Sequence, residues 1–448
     1  PNLRKLICMT LADTTITLLK ELVQISCVND LTPDSGQESK AADVLERFFA
    51  DAPNVRVERF EPHPGRTSIA FTIEGSDPSA EPLTLLGHTD VVPVDEAKWT
   101  KDPFGAQIID GHLYGRGATD MLYITAAMAA TVRDVALSGT QPTGTLTFVG
   151  CADEEARGGL GVGWLAEHAP DAFSWKNCLS EEGGSHLPVQ DGSDAVVVVI
   201  GEKGAAQRRL TVHGDAGHGS TPHGRELTIA KIGKVAERIA ALTPEVSSEE
   251  PWPGYVRAWK FDPETEQALL RGEGYEAFGE LQRYSHAMSH LTVAPTVLRA
   301  GGAINVLPSE ASIELDIRQL PGQSQEDIDD LLREALGDLA NEVEITHLIT
   351  EDATVSPTEG PLYDAIVDTF AEFFPEAAVV PTLAAGGSDL RFARRKGGVG
   401  YGFAMHKREN TLGKVLDLLH SHDEYVDLTD VELTTQAYRS LIRRMVNA

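Results

Sequence analysis

Acidic and imidazole side chains gather where apolar runs of this chain end. In LTLLGHTDVVP (83–93) an apolar strand stops at Gly87, and His88 and Asp90 follow at i, i+2, on one face of extended backbone. In DGHLYGRGATDM (110–121), Asp110-Gly111 is a turn signal, and Gly115 and Gly117 flank Arg116 in a tight loop that delivers Asp120. TLTFVGCADEE (145–155) runs a buried strand into Glu154 and Glu155, neighbours that repel unless a cation or a proton reconciles them. LSEEGG (179–184) holds a further acidic pair, and LLHSHDEYV (418–426) adds His420 and His422. Each element also has a plainer reading: a turn Asp beside a hydrogen-bonded His, a helix N-cap at Asp120, a solvated acidic loop. Taken together they are what a divalent metal needs. Imidazole and carboxylate without thiolate suit Zn²⁺, Co²⁺ or Mn²⁺ and argue against a structural zinc.

The elements that must position these groups are legible from periodicity. Residues 12–24 and 37–50 carry apolar positions at helical spacing, and a further helix is expected at about 121–138. Strands are expected at 67–73, 83–86, 145–149 and 195–200. This alternation predicts an α/β fold, a mixed sheet covered by helices. Near residue 200 the pattern changes. A strand at 205–213, a helix at 225–242, strands at 292–298 and 311–318, a helix at 325–339 and a strand at 342–348 spell βαββαβ, the ferredoxin-like order of a small two-layer domain. Residues 244–290, rich in Pro, Glu and aromatics, interrupt it. From about 350 the chain returns to helix (361–374), strand, Gly-rich loop and a last helix (428–446). The expected organisation is a catalytic domain in two parts, 1–200 and 350–448, with a domain inserted at 201–349.

Composition removes several function classes. Among 448 residues there are 38 Lys plus Arg and 68 Asp plus Glu, a formal charge of −30. So acidic a surface repels phosphate backbones and anionic lipid, which excludes a nucleic-acid or membrane-surface partner. No apolar run approaches the roughly 20 residues of a membrane span. The opening apolar run stops at Asp13, too short for a secretory signal, and Met9 reads as the native start after an eight-residue extension. Cys8, Cys27, Cys151 and Cys178 form no CxxC pair and read as reduced thiols of a cytoplasmic protein.

The string GHTDVVPVDEAKWTKDPFGAQIIDGHLYGRGATDM resembles the signature of the co-catalytic zinc peptidase family that includes aminoacylase, glutamate carboxypeptidase, acetylornithine deacetylase and succinyl-diaminopimelate desuccinylase. The likeness continues through ADEEARGG, SEEGG, GDAGHGSTP, RAGGAINVLPSEA and GGSDLRF to HSHDEYV, in order along nearly the whole chain. The resemblance implies two Zn²⁺ per chain, with Co²⁺ or Mn²⁺ as substitutes. His88 and Glu182 would complete one site, Glu155 and His420 the other, and Asp120 would bridge them. His422 stands as an alternative to His420. Glu154 would be the general base and Asp90 the acid orienting His88, and a cis peptide is implied after Asp120. In the inserted domain, expected to act as a lid and a dimerisation surface, His218 would reach the scissile carbonyl. Asn305, Gly387 and Arg391 would contact substrate, with Arg391 holding a carboxylate. Relatives commonly have Lys two residues after the bridging Asp, where this chain has Leu122, a departure that touches subfamily rather than chemistry.

The expected function is hydrolysis of N-acyl amino acids or short peptides by a metal-activated water, in a possible homodimer. Two alternatives stand beside it: a dedicated biosynthetic deacylase for acetylornithine or succinyl-diaminopimelate, and a metal-free binding protein on the same fold.

Overall fold

The computed structural model describes residues 9–448; Cys8 and the other residues ahead of Met9 lie outside the described residues. Helix Leu11–Gln24 opens on a capping box between Thr10 and Asp13, and helix Gln325–Leu336 on one between Ser324 and Asp327. These caps stand where the sequence places short polar residues ahead of apolar periodicity.

The large sheet runs in the order Arg56–His63, Arg66–Ile73, Leu146–Cys151, Leu83–His88, Asn177–Ser180, Val399–Gly402, Ala195–Glu202 and Thr354–Val355, with Ala378–Ala384 also paired to Ala195–Glu202. Its centre is parallel. Leu83–His88 pairs in that sense with both Leu146–Cys151 and Asn177–Ser180, with His88 opposite Cys151. Strands buried on both faces read as largely apolar runs, as Leu83–His88 and Leu146–Cys151 do; Asn177–Ser180 is equally buried but carries polar ends. Parallel neighbours bring their carboxyl ends to one edge, so the segments after His88, Cys151 and Ser180 emerge side by side.

Helix Tyr123–Ser138, mostly Ala and small residues, packs against Leu11–Gln24 and Leu428–Val446. With the turn before it, Ala118–Ser138 is long and apolar enough to cross a bilayer by composition, contrary to the sequence expectation. In this fold 72% of its apolar window lies inside the protein, as in a core helix.

The second sheet is Thr292–Ala300, Glu310–Arg318, Ala205–His213 and Val343–Glu351, antiparallel throughout. Helices Thr228–Ala240 and Gln325–Leu336 cover it. Ile232, Val235, Ile239, Ile328, Leu332 and Leu336 meet Leu210, Ile313, Leu315 and Ile317 in a core separate from the large one. Residues 244–290 behave differently from the sequence division at 201–349. Trp252, Tyr255, Trp259 and Phe278 are buried and join the large core, and Tyr284 Oη donates to the Leu383 carbonyl at 2.9 Å. Chain order places this segment within the inserted domain, yet its aromatic face finds the larger sheet. The covalent path therefore crosses between the two units repeatedly. At one crossing the buried Lys203 Nζ donates to the Ala287 and His290 carbonyls, both at 2.7 Å, and lies 3.2 Å from Thr292 Oγ1.

Candidate metal centre

His88 ends its strand fully enclosed. Its Nδ1 lies 2.9 Å from the Asp90 carbonyl oxygen, which fixes that nitrogen as the donor and leaves Nε2 to face the cleft. Nε2 is 3.2 Å from Asp120 Oδ1 and 3.5 Å from Glu181 Oε2. The Asp90 carboxylate stands further from the ring, at 3.6 Å. Its close bonds go elsewhere: it accepts the backbone N–H groups of Glu154 (3.2 Å) and Glu155 (3.1 Å) and the Asn29 amide (2.8 Å). Asp90 thus orients the imidazole through its carbonyl and the acidic pair through its side chain.

The turn before that pair is held from the opposite side. Asp153 takes a left-handed backbone with φ 67°, and its carboxylate pairs with buried Arg66, which also pairs with buried Glu38 at 2.8 Å. Asn29, Glu38 and Arg66 went unremarked in the sequence because each sits in a segment without catalytic pattern. Asp120 follows Gly117, which adopts φ 80°, and the Asp120–Met121 peptide is cis. Buried Glu424 accepts the N–H groups of Gly117 (3.1 Å), Thr119 (2.8 Å) and Asp120 (3.1 Å). It too was missed; an acid directly before a strand is its only sequence signal.

His420 completes the cluster. Its Nε2 is 3.1 Å from Asp120 Oδ2 and 3.5 Å from Glu155 Oε2. The two oxygens of Asp120 therefore face two different histidines, the geometry of a bridging carboxylate. His88, Asp120 and Glu155, and again His88, Glu154 and Glu181, each bring ligand-capable atoms within 4.8 Å of one another.

One expected residue is replaced by its neighbour. Glu181, not Glu182, approaches His88. Glu182, with φ 69°, lines the same cavity as Glu181 and is buried within the field of Asp120, Glu202 and Arg394, but makes no ion pair with His88.

Electrostatics describe a site that holds too much negative charge for protein alone. Burial, reinforced by Glu181, pushes the Glu154 carboxyl well above its usual range, and burial does the same to Glu181. Burial lifts Glu182 to about 8. Burial opposes charge on His88, but hydrogen bonds with Asp120 and Glu181 lift it well above normal; those with Asp120 and Glu155 lift His420 to about 10. Glu155 Oε1 is buried with no hydrogen-bond partner. An orphaned carboxylate oxygen beside two imidazoles and a shared Asp is a donor set that divalent cations satisfy, and the residues fit a pair of them. His88, Asp120 and Glu181 would hold one, and Asp120, Glu155 and His420 the other.

Two cavities open onto this cluster. One, of about 320 Å³, is lined by Tyr123, Ile124, Val199, Val415, Leu416 and Leu419 among others. The second, of about 270 Å³, is lined by Arg157, Lys203, Arg318, Arg391 and Arg395 together with Glu202, Glu351 and Asp352. Gly386 and Gly387 border both. A side chain at Gly387 would press within 3.0 Å of the Arg391 guanidinium.

Arg391 is buried at the edge of the second cavity. Its Nη1 donates to the Ser388 carbonyl (2.6 Å) and its Nη2 to the Arg157 carbonyl (2.8 Å), leaving buried Nε without a partner. The guanidinium ties two loops together while lining the second cavity, with Glu351 Oε2 3.6 Å from its Nε and Glu202 Oε1 3.8 Å from its Nη1. Arg318 faces the same cavity from the second sheet. His218 and Asn305 line neither cavity. They lie on an exposed two-stranded ribbon where the Gly219 N–H donates to the Asn305 carbonyl at 2.8 Å.

A sequence profile described as Peptidase family M20/M25/M40 matches residues 84–444. The chain belongs to this family. It is 27% identical over 402 residues to a protein named Probable carboxypeptidase S-like 2 from Dictyostelium discoideum, covering 84% of this chain and 74% of that one. It is 26% identical over 349 residues to human N-fatty-acyl-amino acid synthase/hydrolase PM20D1, covering 72% and 67%. Against Succinyl-diaminopimelate desuccinylase 1 of Ruegeria sp. the identity is 27% over 438 residues, covering 96% and 97%. Among solved structures, an M20 family metallo-carboxypeptidase from Sulfolobus solfataricus superposes with a TM-score of 0.70 at 18% identity, covering 96% and 98%. A Bacillus subtilis protein described as a dinuclear metal binding peptidase of the M20 family gives 0.62 at 14%, covering 98% and 99%. This M20 chain is a metal-dependent hydrolase of the peptidase and amidohydrolase kind.

Proposed function

We propose that this enzyme hydrolyses the amide bond of N-acyl amino acids or short peptides at a centre of two zinc ions. One observation carries the reading: Asp120 offers one oxygen toward each of two histidines, and Glu154 lies in the same cluster beside His88 and Glu181. When bound, the ions supply an acidified water and a polarised carbonyl. Glu154, fixed through its backbone N–H to Asp90, takes a proton from the attacking water and delivers it to the leaving nitrogen. Burial that raises its proton affinity suits both halves of that transfer.

His218 is the expected oxyanion partner, and its distance from the cavities requires either closure of the smaller unit or a second protomer. Strand Thr292–Ala300 forms one outer edge of the second sheet and exposes Leu298, and Val306 is exposed on the ribbon that carries His218. An apolar, unpaired strand edge is a surface that a second copy can cover, so a homodimer is part of the proposal. The near full-length match to a desuccinylase favours a second reading, a dedicated biosynthetic deacylase.

The test is zinc reconstitution followed by elemental analysis and a hydrolysis screen of N-acyl amino acids and dipeptides. About two ions per chain with turnover is the expected result. Failure to bind metal after reconstitution overturns the proposal.

A further inference from the structure

The loop GDAGHGSTPHGR (214–225) contains more order than an exposed histidine needs. At its base Asp215 and Glu226 bond reciprocally. The Asp215 N–H donates to the Glu226 carbonyl and the Glu226 N–H to Asp215 Oδ2, both at 2.9 Å. Above them the Arg225 guanidinium spans the loop. Its Nη1 donates to the Ala216 carbonyl at 2.9 Å and its Nε to the Thr221 carbonyl at 3.1 Å. Gly217 lies against that guanidinium, and a methyl there would stand 2.8 Å from its central carbon. At the tip the Thr221 N–H donates to the His218 carbonyl at 3.0 Å. The backbone N–H of Ser220 donates to His218 Nδ1 at 3.1 Å, and Ser220 Oγ lies 2.8 Å from the same nitrogen.

The Ser220 contact decides the chemistry of the ring. A backbone N–H can only donate, so Nδ1 carries a lone pair and the single proton of the neutral imidazole sits on Nε2. We infer that Ser220 and Arg225 are positioning residues: Ser220 sets the His218 tautomer, Arg225 sets the shape of the loop, and together they present Nε2–H as a hydrogen-bond donor. This rests on the hydrolase reading and on the oxyanion role proposed for His218. A donor ordered before the reaction costs no reorganisation when charge develops on the carbonyl oxygen. Because the bonds are all within the loop, the same presentation serves whichever protomer supplies the histidine.

The test has a spectroscopic arm and a kinetic arm. Nitrogen-15 NMR of the histidine-labelled full chain at alkaline pH, with His218→Ala for assignment, is expected to show the His218 proton on Nε2. A proton on Nδ1, or a mixture of tautomers, overturns the inference. In zinc-loaded enzyme, with N-acetyl-leucine and glycyl-leucine as probes, Arg225→Ala should lower kcat by about tenfold or more with KM nearly unchanged. Gly217→Ala, which displaces the guanidinium, should do the same, and Arg225→Lys should recover part of the loss. In the His218→Ala background neither Arg225→Ala nor Gly217→Ala should cost anything further, because both act through the ring. Normal kcat in Arg225→Ala, or losses that simply add to that of His218→Ala, overturns the positioning role. Normal kcat in His218→Ala overturns it together with the oxyanion role, while turnover itself leaves the hydrolase reading intact. No turnover of either probe by the unaltered enzyme counts against the hydrolase reading, and the NMR spectrum still decides the tautomer.

Discussion

Arg116 and Glu424 are 308 residues apart in sequence and form a buried ion pair at 2.7 Å. Through Glu424, which also receives three backbone N–H groups of the 117–120 turn, the C-terminal segment sets the position of the bridging Asp120. Glu424→Gln removes the charge without emptying the space. Metal affinity should fall by about 10–100-fold, the usual result of disturbing a group that supports a ligand. Competitive titration with a zinc chelator measures it; an unchanged affinity would assign Glu424 to folding alone.

The acidic pairs should separate by assay. Glu154→Ala is expected to lose about 10²–10⁴-fold in kcat with both metals retained. Glu155→Ala and Glu181→Ala should each lose metal, whereas Glu182→Ala should keep it. Elemental analysis beside steady-state kinetics reads all four. Metal loss in Glu182→Ala with retention in Glu181→Ala would reverse the assignment.

His218→Ala should lower kcat more than it raises KM, because an oxyanion contact strengthens in the transition state. Mixing His218→Ala with Glu154→Ala protein asks which chain supplies the histidine. Recovered activity requires a site built from two protomers. No recovery, with kcat still low, leaves closure within one chain.

Lys203 should make stability depend on alkaline pH. Burial, with Arg318 adding repulsion, pushes its ammonium down to about 7 in the fold, against about 10.4 in an unfolded chain. Between those values the unfolded chain holds a proton that the folded one has released. Stability therefore rises with pH through this window, by up to about 1.4 kcal/mol per pH unit from this group, and is flat in this contribution below it. Lys203→Met removes the slope, and also leaves the Ala287 and His290 carbonyls without their donor at a cost of about 1–3 kcal/mol. Denaturant unfolding of both proteins at pH 7, 8, 9 and 10 tests the difference in slope.

What the sequence revealed and what it hid follow from one distinction. His88, Asp120, Glu154 and Glu155 follow apolar strands or a Gly-rich turn and His420 an apolar helix, so local pattern marks them, and the parallel register then brings the strand ends together. The choice between Glu181 and Glu182 depends on which of two neighbouring acids the fold brings to His88, which no spacing rule encodes. The bonds of Arg391 go to two carbonyls, one of them 234 residues away. The packing of Trp252 and Trp259 on the larger sheet is decided by which apolar surface is open to them, and chain order carries no information on that. Glu38, Arg66 and Asn29 escape notice for the same reason: their partners are distant, and each looks locally like an ordinary surface residue.

Helix Leu428–Val446 closes against Leu11–Gln24, with Thr435 Oγ1 3.1 Å from Thr15 Oγ1 across 420 residues of sequence. For a chain made from its amino end, this fixes an order of events. The smaller unit draws its buried core from residues 206–339 and has everything it needs while the ribosome is still adding residues. The larger unit does not: His420, Glu424 and the closing helix emerge long after the strands that carry His88, Glu154 and Glu155. Until they do, His88, Asp120, Glu154, Glu155 and Glu181 are present without the histidine and the clamp that complete their surroundings. The candidate centre is therefore complete only once the segment through Val446 has emerged and docked.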